Sequence, residues 1–275
     1  MTCNPNWKEI QDELYPGQTA QDRPDITTRI FHSKCEELKK DLFVKGVLGK
    51  VVAHVHVIEF QKRGLPHAHL LLILDHADKL RSPDDYDSVV RAEIPDKVAE
   101  PDLFRIVMRH MIHGPCGKHI DESQPCLKEG NCKKFFPKAF AEFTVEGLDS
   151  YPTYRRRRNG PQVKLRNNIM VDNRWVVPYN PWLLRKYDCH INVEVCSTIR
   201  CVKYLYKYVY KGSDRCSLQI NDKCDEVKQF VDGRWICPQE ALWRIFKFPL
   251  NNIYPSVYSL QVHLPNMHEV QFPDD

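Results

Sequence analysis

The sequence predicts an α+β fold in which helices flank an antiparallel sheet, and three observations support it. Apolar residues recur at helical spacing over residues 26–42, after a capping residue at Asp25. Two runs of β-branched and apolar residues follow at 51–60 and 67–74, separated by a short turn signal. A second helical pattern starts at Asp102. A β-hairpin between helices is typical of an antiparallel sheet packed against helices.

Composition indicates the broad class of the protein. With 275 residues, of which 42% are hydrophobic, the chain can bury a packed core. Its net charge of +4 does not by itself indicate a nucleic-acid-binding protein, so a basic site must lie in local clusters. Eleven cysteines, without a signal peptide or a membrane-spanning apolar run, predict an intracellular protein with no membrane partner. No G-x-x-x-x-G-K-[ST] phosphate loop is present, so we expect no ATP-driven motor in this chain.

Two histidines on the second strand are the strongest candidate for a catalytic metal site. Strand geometry puts His67 and His69 on one face of the sheet. Glu59 and Gln61 lie across the hairpin turn, and Glu59 is predicted as the third ligand. Two imidazoles and a carboxylate suit Mg²⁺ or Mn²⁺ acting as a Lewis acid on a phosphodiester. An isolated H-x-H motif is more often a solvent-facing pair, so this prediction needs a second motif.

The chain contains another motif of the same spacing, His54-Val55-His56. Strand alternation places these two histidines on the face opposite Glu59, and no turn brings an acidic partner to them. We predict that this second pair is structural.

A tyrosine- and lysine-rich segment supplies the second motif. On a helix, Tyr204 and Tyr208 share one face, while Lys203, Lys207 and Lys211 form a basic stripe. A tyrosine hydroxyl beside a metal-polarised phosphate can attack it, which leaves a phosphotyrosine and a free 3′-hydroxyl. The alternative is an amphipathic helix whose tyrosines only pack. The histidine pair favours the catalytic interpretation.

These motifs resemble the replication-initiator domain of Helitron rolling-circle transposons, a member of the HUH endonuclease superfamily. The resemblance runs through residues 2–7, 23–25, 59–69 and 203–212 and so extends over most of the chain. It implies an HUH-endonuclease-like fold, an antiparallel sheet flanked by helices with the histidine strand in its centre.

The resemblance also implies roles for individual residues. His67 and His69 would bind the catalytic divalent metal, and Tyr204 and Tyr208 would be the nucleophile pair. Tyr206 and Tyr210 do not stand at the family's positions.

The resemblance predicts the domain organisation and partners as well. Residues 1–212 are expected to form the nicking domain, with its N-terminal strand truncated before Thr2. Residues 213–275 are expected to be a C-terminal extension leading towards a helicase that this chain lacks. The implied partner is single-stranded DNA at transposon ends, and the implied compartment is the nucleus.

A cysteine-rich stretch predicts a second metal site. His113, Cys116, Cys126 and Cys132 follow the spacing H-x₂-C-x₉-C-x₅-C, which is compatible with closed, tetrahedral, structural zinc. This pattern resembles the cysteine-rich segment of the same family, and we expect a zinc-stapled insertion at 113–136. Scattered free cysteines are the alternative.

Two further segments are candidates for DNA contact. The basic run Arg155, Arg156, Arg157 and Arg158 can bind phosphates, although a nuclear-localisation patch or a solvated charge run fits equally well. Residues 189–195 alternate like a strand. This alternation puts three polar side chains on one face: His190, Asn192 and Glu194. The first two are candidates for lining the DNA path, and Glu194 is a rival to Glu59 as third ligand.

Three classes of function follow. The first is metal-dependent nicking and strand transfer of single-stranded DNA, in which Tyr204 or Tyr208 attacks and Lys207 helps to neutralise charge. The second is an inactive remnant that binds single-stranded DNA without cutting it. The third, a cysteine-rich interaction module, is disfavoured because the histidine and tyrosine motifs occur together.

Overall fold

The computed structural model describes residues 1–60, 65–114, 116, 126–147, 151–165, 168–196 and 236–256. These residues include both helices and antiparallel strands, which confirms the predicted α+β class. The helices are α1 (Lys8–Gln11), α2 (Pro24–Lys39), α3 (Pro83–Val89), α4 (Pro101–His110), α5 (Pro181–Tyr187) and α6 (Pro238–Ile245). The strands are β1 (Val51–Phe60), β2 (Pro66–Leu74), β3 (Leu127–Lys128), β4 (Asn131–Cys132), β5 (Val163–Lys164), β6 (Met170–Val171) and β7 (Asn251–Tyr254). None of the described helices is long and apolar enough to cross a membrane.

The main sheet has the order β2-β1-β7, and both strand pairs are antiparallel. The predicted hairpin is therefore confirmed, with Glu59 directly opposite His67. On the other side of β2, the N-terminal residues continue the pairing: the Cys3 amide donates to the Pro66 carbonyl at 3.0 Å, and Thr2 forms a bridge with His67. The histidine strand thus has hydrogen-bonded neighbours on both sides.

Helices α2 and α6 cover one face of this sheet. Phe31 of α2 and Trp243 of α6 are fully buried with Ile58 and Ala68 of the hairpin. At about 25 cal/mol per Å² of apolar surface, burial of such large side chains is the main stabilising contribution to this layer. Because α6 and β7 lie beyond residue 212, part of the expected C-terminal extension packs on the same core.

Helix α2 begins two residues earlier than the capping prediction requires. Pro24 occupies the first turn, where its missing N–H is not needed, and Arg23 is the N-cap residue. Asp25 lies inside the first turn, with its carboxylate 2.9 Å from the Arg23 guanidinium. The helix then continues into a π-helical turn at Lys40–Val44, and Gly46 follows with φ of +62°.

The predicted strand at 189–195 does not pair with any of the strands in the described part of the chain. Its alternation is nevertheless correct, because Cys189 and Ile191 are buried in the main core while Asn192 is exposed. Single hydrogen bonds hold the segment, including one from the Val193 amide to the Pro178 carbonyl at 3.2 Å.

Candidate functional site

The histidine pair and Glu59 meet on one face of the β1–β2 hairpin. The register places Glu59 opposite His67, and the His69 Nε2 lies 3.1 Å from Glu59 Oε2. The two imidazole rings are 4.5 Å apart between centroids, at a near-perpendicular angle of 65°. The side chains of His69 and Glu59 are 33% and 29% exposed, so solvent and a ligand can reach them. The arrangement brings two ring nitrogens and a carboxylate together at a partly open position.

Thr2 fixes the orientation of His67. Its hydroxyl lies 2.6 Å from His67 Nδ1, which leaves Nε2 as the nitrogen available to a metal. Burial, followed by the nearby N-terminal amine and His69, lowers the pKa of His67 to about 2. The imidazole is therefore neutral at pH 7, the state that a metal ligand requires. Sequence reasoning did not identify Thr2, because the contact joins residues 65 positions apart.

His190 connects Thr2 to helix α4. Its Nδ1 lies 2.8 Å from the His110 carbonyl at the end of α4, and its own carbonyl accepts a hydrogen bond from the Thr2 amide at 2.9 Å. Both contacts are structural, and they connect α4 to the residue that holds His67. Asn192 and Glu194 bond to each other at 3.0 Å.

Several predicted site residues fall outside the described residues. These are Gln61, Lys203, Tyr204, Lys207, Tyr208 and Lys211. The assignments of nucleophiles and of the basic stripe therefore stay predictions from sequence. Between the rival carboxylates, Glu59 is the one with a direct contact to the histidine pair.

The second H-x-H motif lies on the helix-covered face, as predicted. The His54 ring stacks on Phe43 at 4.0 Å, and its Nε2 contacts Asn252 Oδ1 at 3.1 Å. His56 is 2% exposed, and its Nδ1 has no hydrogen-bond partner among the described residues. Burial, and after it the Lys39 charge, lower the pKa of His56 to about 4, so this ring is buried in its neutral form.

The cysteine-rich stretch forms a cluster that could hold a metal ion. One ligand atom from each of four side chains lies within 4.8 Å of all the others: His113, Cys116, Cys126 and Cys132. The His113 Nε2 is 3.5 Å from the sulfurs of both Cys116 and Cys132. We refer to these four residues as the Cys–His cluster.

Local backbone geometry explains how the cluster forms. Cys126 precedes and Cys132 ends a two-strand hairpin, whose turn residues Glu129 and Gly130 both have positive φ. The Lys134 amide donates to the Cys132 sulfur at 3.4 Å, a contact that stabilises a thiolate. The hairpin packs on a small core that contains Val171 and Trp175.

The arginine run is divided between structural and exposed residues, which narrows the predicted DNA-binding surface. Arg156 is 4% exposed, and its guanidinium donates to the carbonyls of Ala92, Asn173 and Val176 at 2.6–3.1 Å. Three carbonyls satisfy this buried cation, so it is not available to DNA phosphates.

The neighbours of Arg156 are also engaged. Arg157 binds the Glu93 carboxylate with contacts of 2.6–3.2 Å, and Arg155 lies 3.3 Å from Asp87. Arg158 is exposed and lies over the Phe140 ring at 5.1 Å. Sequence could not separate these roles, because acidic partners come from residues about 65 positions earlier.

Comparison with known proteins bears on the hairpin and the residues before it. Residues 1–72 of the 275 match the family model described as the Helitron helicase-like domain at the N-terminus. No curated protein matches the chain. The matched segment contains Thr2, Glu59, His67 and His69. The resemblance inferred from the motifs is therefore confirmed over residues 1–72, where the chain is similar to the N-terminal helicase-like domain of Helitrons.

Proposed function

We propose that this chain nicks single-stranded DNA and transfers the cut strand through a tyrosine, with an HUH-endonuclease-like fold, in a metal-dependent reaction. One observation carries the proposal: strand register brings Glu59 to His69 at 3.1 Å beside His67, on a partly open face. The match over residues 1–72 supports a function related to rolling-circle transposition.

The donor set fits a hard divalent cation. Glu59, His67 and His69 would hold Mg²⁺ or Mn²⁺, and the observed Glu59–His69 spacing agrees with two neighbouring ligands of an octahedral ion, which are roughly 3 Å apart. When bound, the ion supplies Lewis-acid polarisation of the scissile phosphate. The Thr2 hydroxyl engages Nδ1 of His67, which leaves Nε2 for the metal, and the neutral His67 ring keeps a lone pair available.

The proposed nucleophile is the hydroxyl of Tyr204 or Tyr208. Its oxygen forms a bond to phosphorus while the bond from phosphorus to the 3′-oxygen breaks. The phenolic proton is given up, the departing 3′-oxygen takes up a proton, and the products are a 5′-phosphotyrosine and a 3′-hydroxyl. Lys207 is proposed to offset the charge that develops on the phosphate. Strand transfer reverses these bonds with a new 3′-hydroxyl.

We propose that the Cys–His cluster holds structural zinc. Zn–N and Zn–S bonds at tetrahedral angles separate the two donor atoms by about 3.6 Å, close to the two observed separations of 3.5 Å. Four protein ligands leave no position for a substrate, so this metal would stabilise the fold and not the transition state. A helicase in the same pathway and a nuclear site of action complete the proposal.

The proposal is tested by forming the covalent product. Purified protein is incubated with a labelled single-stranded oligonucleotide and Mn²⁺, and denaturing electrophoresis detects the protein–DNA adduct. We expect the adduct to disappear in the His67→Ala/His69→Ala variant, and in Tyr204→Phe, Tyr208→Phe or both. His54→Ala is the matched control because it removes an H-x-H histidine from the opposite face.

The outcomes separate the two functional classes. Full cleavage by the His67→Ala/His69→Ala variant would reject the metal assignment. Absence of an adduct in the unaltered protein, with binding of the oligonucleotide intact, would indicate the inactive DNA-binding remnant.

A further inference from the structure

A basic, aromatic loop follows directly after the last ligand of the Cys–His cluster. It reads Lys-Lys-Phe-Phe-Pro-Lys over residues 133–138, and we call it the Lys–Phe loop. The cluster hairpin holds its backbone: the Lys133 amide donates to the Cys126 carbonyl at 2.8 Å, and the Phe135 amide donates to the Cys132 carbonyl at 2.8 Å. The loop is therefore a fixed projection from the cluster.

The two phenylalanines of the loop have opposite environments. Phe136 stacks on the cluster ligand His113, with ring centroids 4.2 Å apart and an interplanar angle of 18°. Phe135 is 77% exposed and has a φ of +56°. A left-handed backbone is unfavourable for a residue with a bulky side chain, and solvent exposure of the ring gains no burial energy. Residues held in such unfavourable backbone conformations cluster at active sites and ligand-binding sites.

The cations of the loop differ from those of the arginine run. Among the residues that the structure describes, neither Lys133 nor Lys134 forms an ion pair, and both side chains are exposed. The Lys138 ammonium lies 5.8 Å from the Phe135 ring centroid. The charges of Lys133 and Lys134 are therefore available to an anion, whereas the charges of Arg155 and Arg157 are neutralised within the fold.

A series of contacts connects the loop to the candidate catalytic site. Phe136 stacks on His113, which follows His110 by three residues, and the His110 carbonyl lies 2.8 Å from His190 Nδ1. The His190 carbonyl accepts a hydrogen bond from the amide of Thr2, and the Thr2 hydroxyl contacts His67 Nδ1. The loop and His67 are therefore linked through directly contacting residues.

We propose that the Lys–Phe loop is a docking surface for single-stranded DNA, where Phe135 stacks on a base and Lys133 and Lys134 bind phosphates. Exposed rings that stack on bases and cations that track the phosphates are the two features by which proteins bind single strands without sequence preference. The inference rests on the proposed function and names the surface that leads the strand to its site.

Binding measured without cleavage tests the inference. Fluorescence anisotropy gives the Kd for a labelled single-stranded oligonucleotide at several salt concentrations, without added Mg²⁺ or Mn²⁺. We expect Phe135→Ala to weaken binding about tenfold, with an unchanged salt slope, and Phe135→Tyr to restore it. Lys134→Ala should lower the slope of log Kd against log salt by about one phosphate contact.

Matched controls lie elsewhere on the same chain. Phe143 is 78% exposed, like Phe135, and Lys128 is an exposed lysine of the same hairpin with Glu129 nearby. Phe143→Ala and Lys128→Ala should leave the Kd unchanged. Unaltered Kd values for both Phe135→Ala and Lys134→Ala would overturn the inference.

Two further results have separate meanings. If the protein bound duplex and single-stranded DNA with equal affinity, and Phe135→Ala did not weaken binding, the binding would be due to attraction of the phosphates alone. That result would reject the stacking role of Phe135. Normal dependence on Phe135 and Lys134, without any covalent adduct, would reject the proposed nicking function and keep the docking surface.

Discussion

Two histidine pairs of identical spacing lie on neighbouring strands of one sheet, and they differ in exposure and in the side chains that surround them. His67 and His69 face a partly open position, with Glu59 3.1 Å from His69. His54 and His56 face the helix-covered side, where the His54 ring stacks on Phe43. The His56 ring is buried, and no residue in the described part of the chain bonds to its Nδ1. The H-x-H spacing is common to both pairs, so it does not define a metal site.

The cross-strand neighbour is what distinguishes the two pairs. Antiparallel register places an acid opposite His67, whereas β1 presents His56 opposite Leu70. A carboxylate supplies a charged oxygen ligand, while an apolar neighbour only desolvates the ring. Whether an H-x-H motif on a strand can bind a metal therefore depends on the residue that lies opposite it on the neighbouring strand.

The largest effect expected from this comparison is the loss of the carboxylate. Glu59→Gln should weaken Mn²⁺ binding by at least about 100-fold, because removal of residues that merely orient metal ligands already costs about 10- to 100-fold. Titration calorimetry measures the Kd. Glu36→Gln, on the helix that covers the opposite face, is the control and should bind Mn²⁺ normally; equal losses in both variants would remove the distinction between the faces.

The buried pair predicts a dependence of stability on pH. Because the pKa of His56 falls from 6.5 to about 4 on folding, the unfolded state binds the proton more tightly between these values. The stability that depends on a neutral His56 is present above pH 6.5 and is lost as the pH falls towards 4. Nearby charged or titratable groups are His32, Glu36, Lys39 and His54.

Replacement of His56 isolates this contribution. His56→Leu should reduce by about 3 kcal/mol the free energy of unfolding that the protein loses between pH 6.5 and pH 4, at 1.36 kcal/mol per unit of pKa shift. Urea unfolding at a series of pH values provides the measurement. Parallel curves for the two proteins would show that His56 is protonated equally in both states.

A smaller effect is expected from the residue that orients the catalytic pair. Thr2→Val keeps the shape of the side chain but removes the hydroxyl next to His67 Nδ1, so Mn²⁺ affinity should fall about tenfold. Thr2→Ser retains a hydroxyl and should bind Mn²⁺ as the unaltered protein does. If the serine variant lost affinity as the valine variant does, packing and not the hydrogen bond would be responsible.

The smallest effect concerns His54. His54→Ala removes a ring stacked at 4.0 Å on Phe43 and should lower stability by about 1 kcal/mol without changing Mn²⁺ affinity. Thermal unfolding and the same calorimetric titration are the two measurements. A change in affinity would mean that the two faces of the sheet are coupled.

Periodicity predicted the hairpin and the opposed faces of the two histidine pairs, because side chains alternate along a strand whatever surrounds it. Periodicity also predicted α2, but its first turn is set by Pro24 rather than by a capping carboxylate at Asp25. The spacing of His113, Cys116, Cys126 and Cys132 predicted their convergence, since short loops limit how far ligands can separate.

Contacts between distant residues were beyond the reach of sequence patterns. The residues adjacent in sequence do not indicate that the Arg156 guanidinium donates to three carbonyls, or that the Thr2 hydroxyl contacts His67. Segments that lack a periodic signal were also missed, as with α3, whose Ser82 and Asp85 form a capping box. The two failures differ in cause: the tertiary fold supplies the partners of Arg156 and His67, whereas the capping box of α3 is local and could have been found.

The antiparallel pairing of β7 with β1 affects how the chain would respond to proteolysis. Residues 197–235 connect Cys196 to Ile236, and both sides of that connection are anchored: the Val195 amide bonds to the Tyr154 hydroxyl, while Trp243 is buried in the main core. A single backbone cut within 197–235 would therefore yield two fragments that stay associated through the sheet and the core. Such a nicked protein would migrate as one species in gel filtration and as two bands under denaturing conditions.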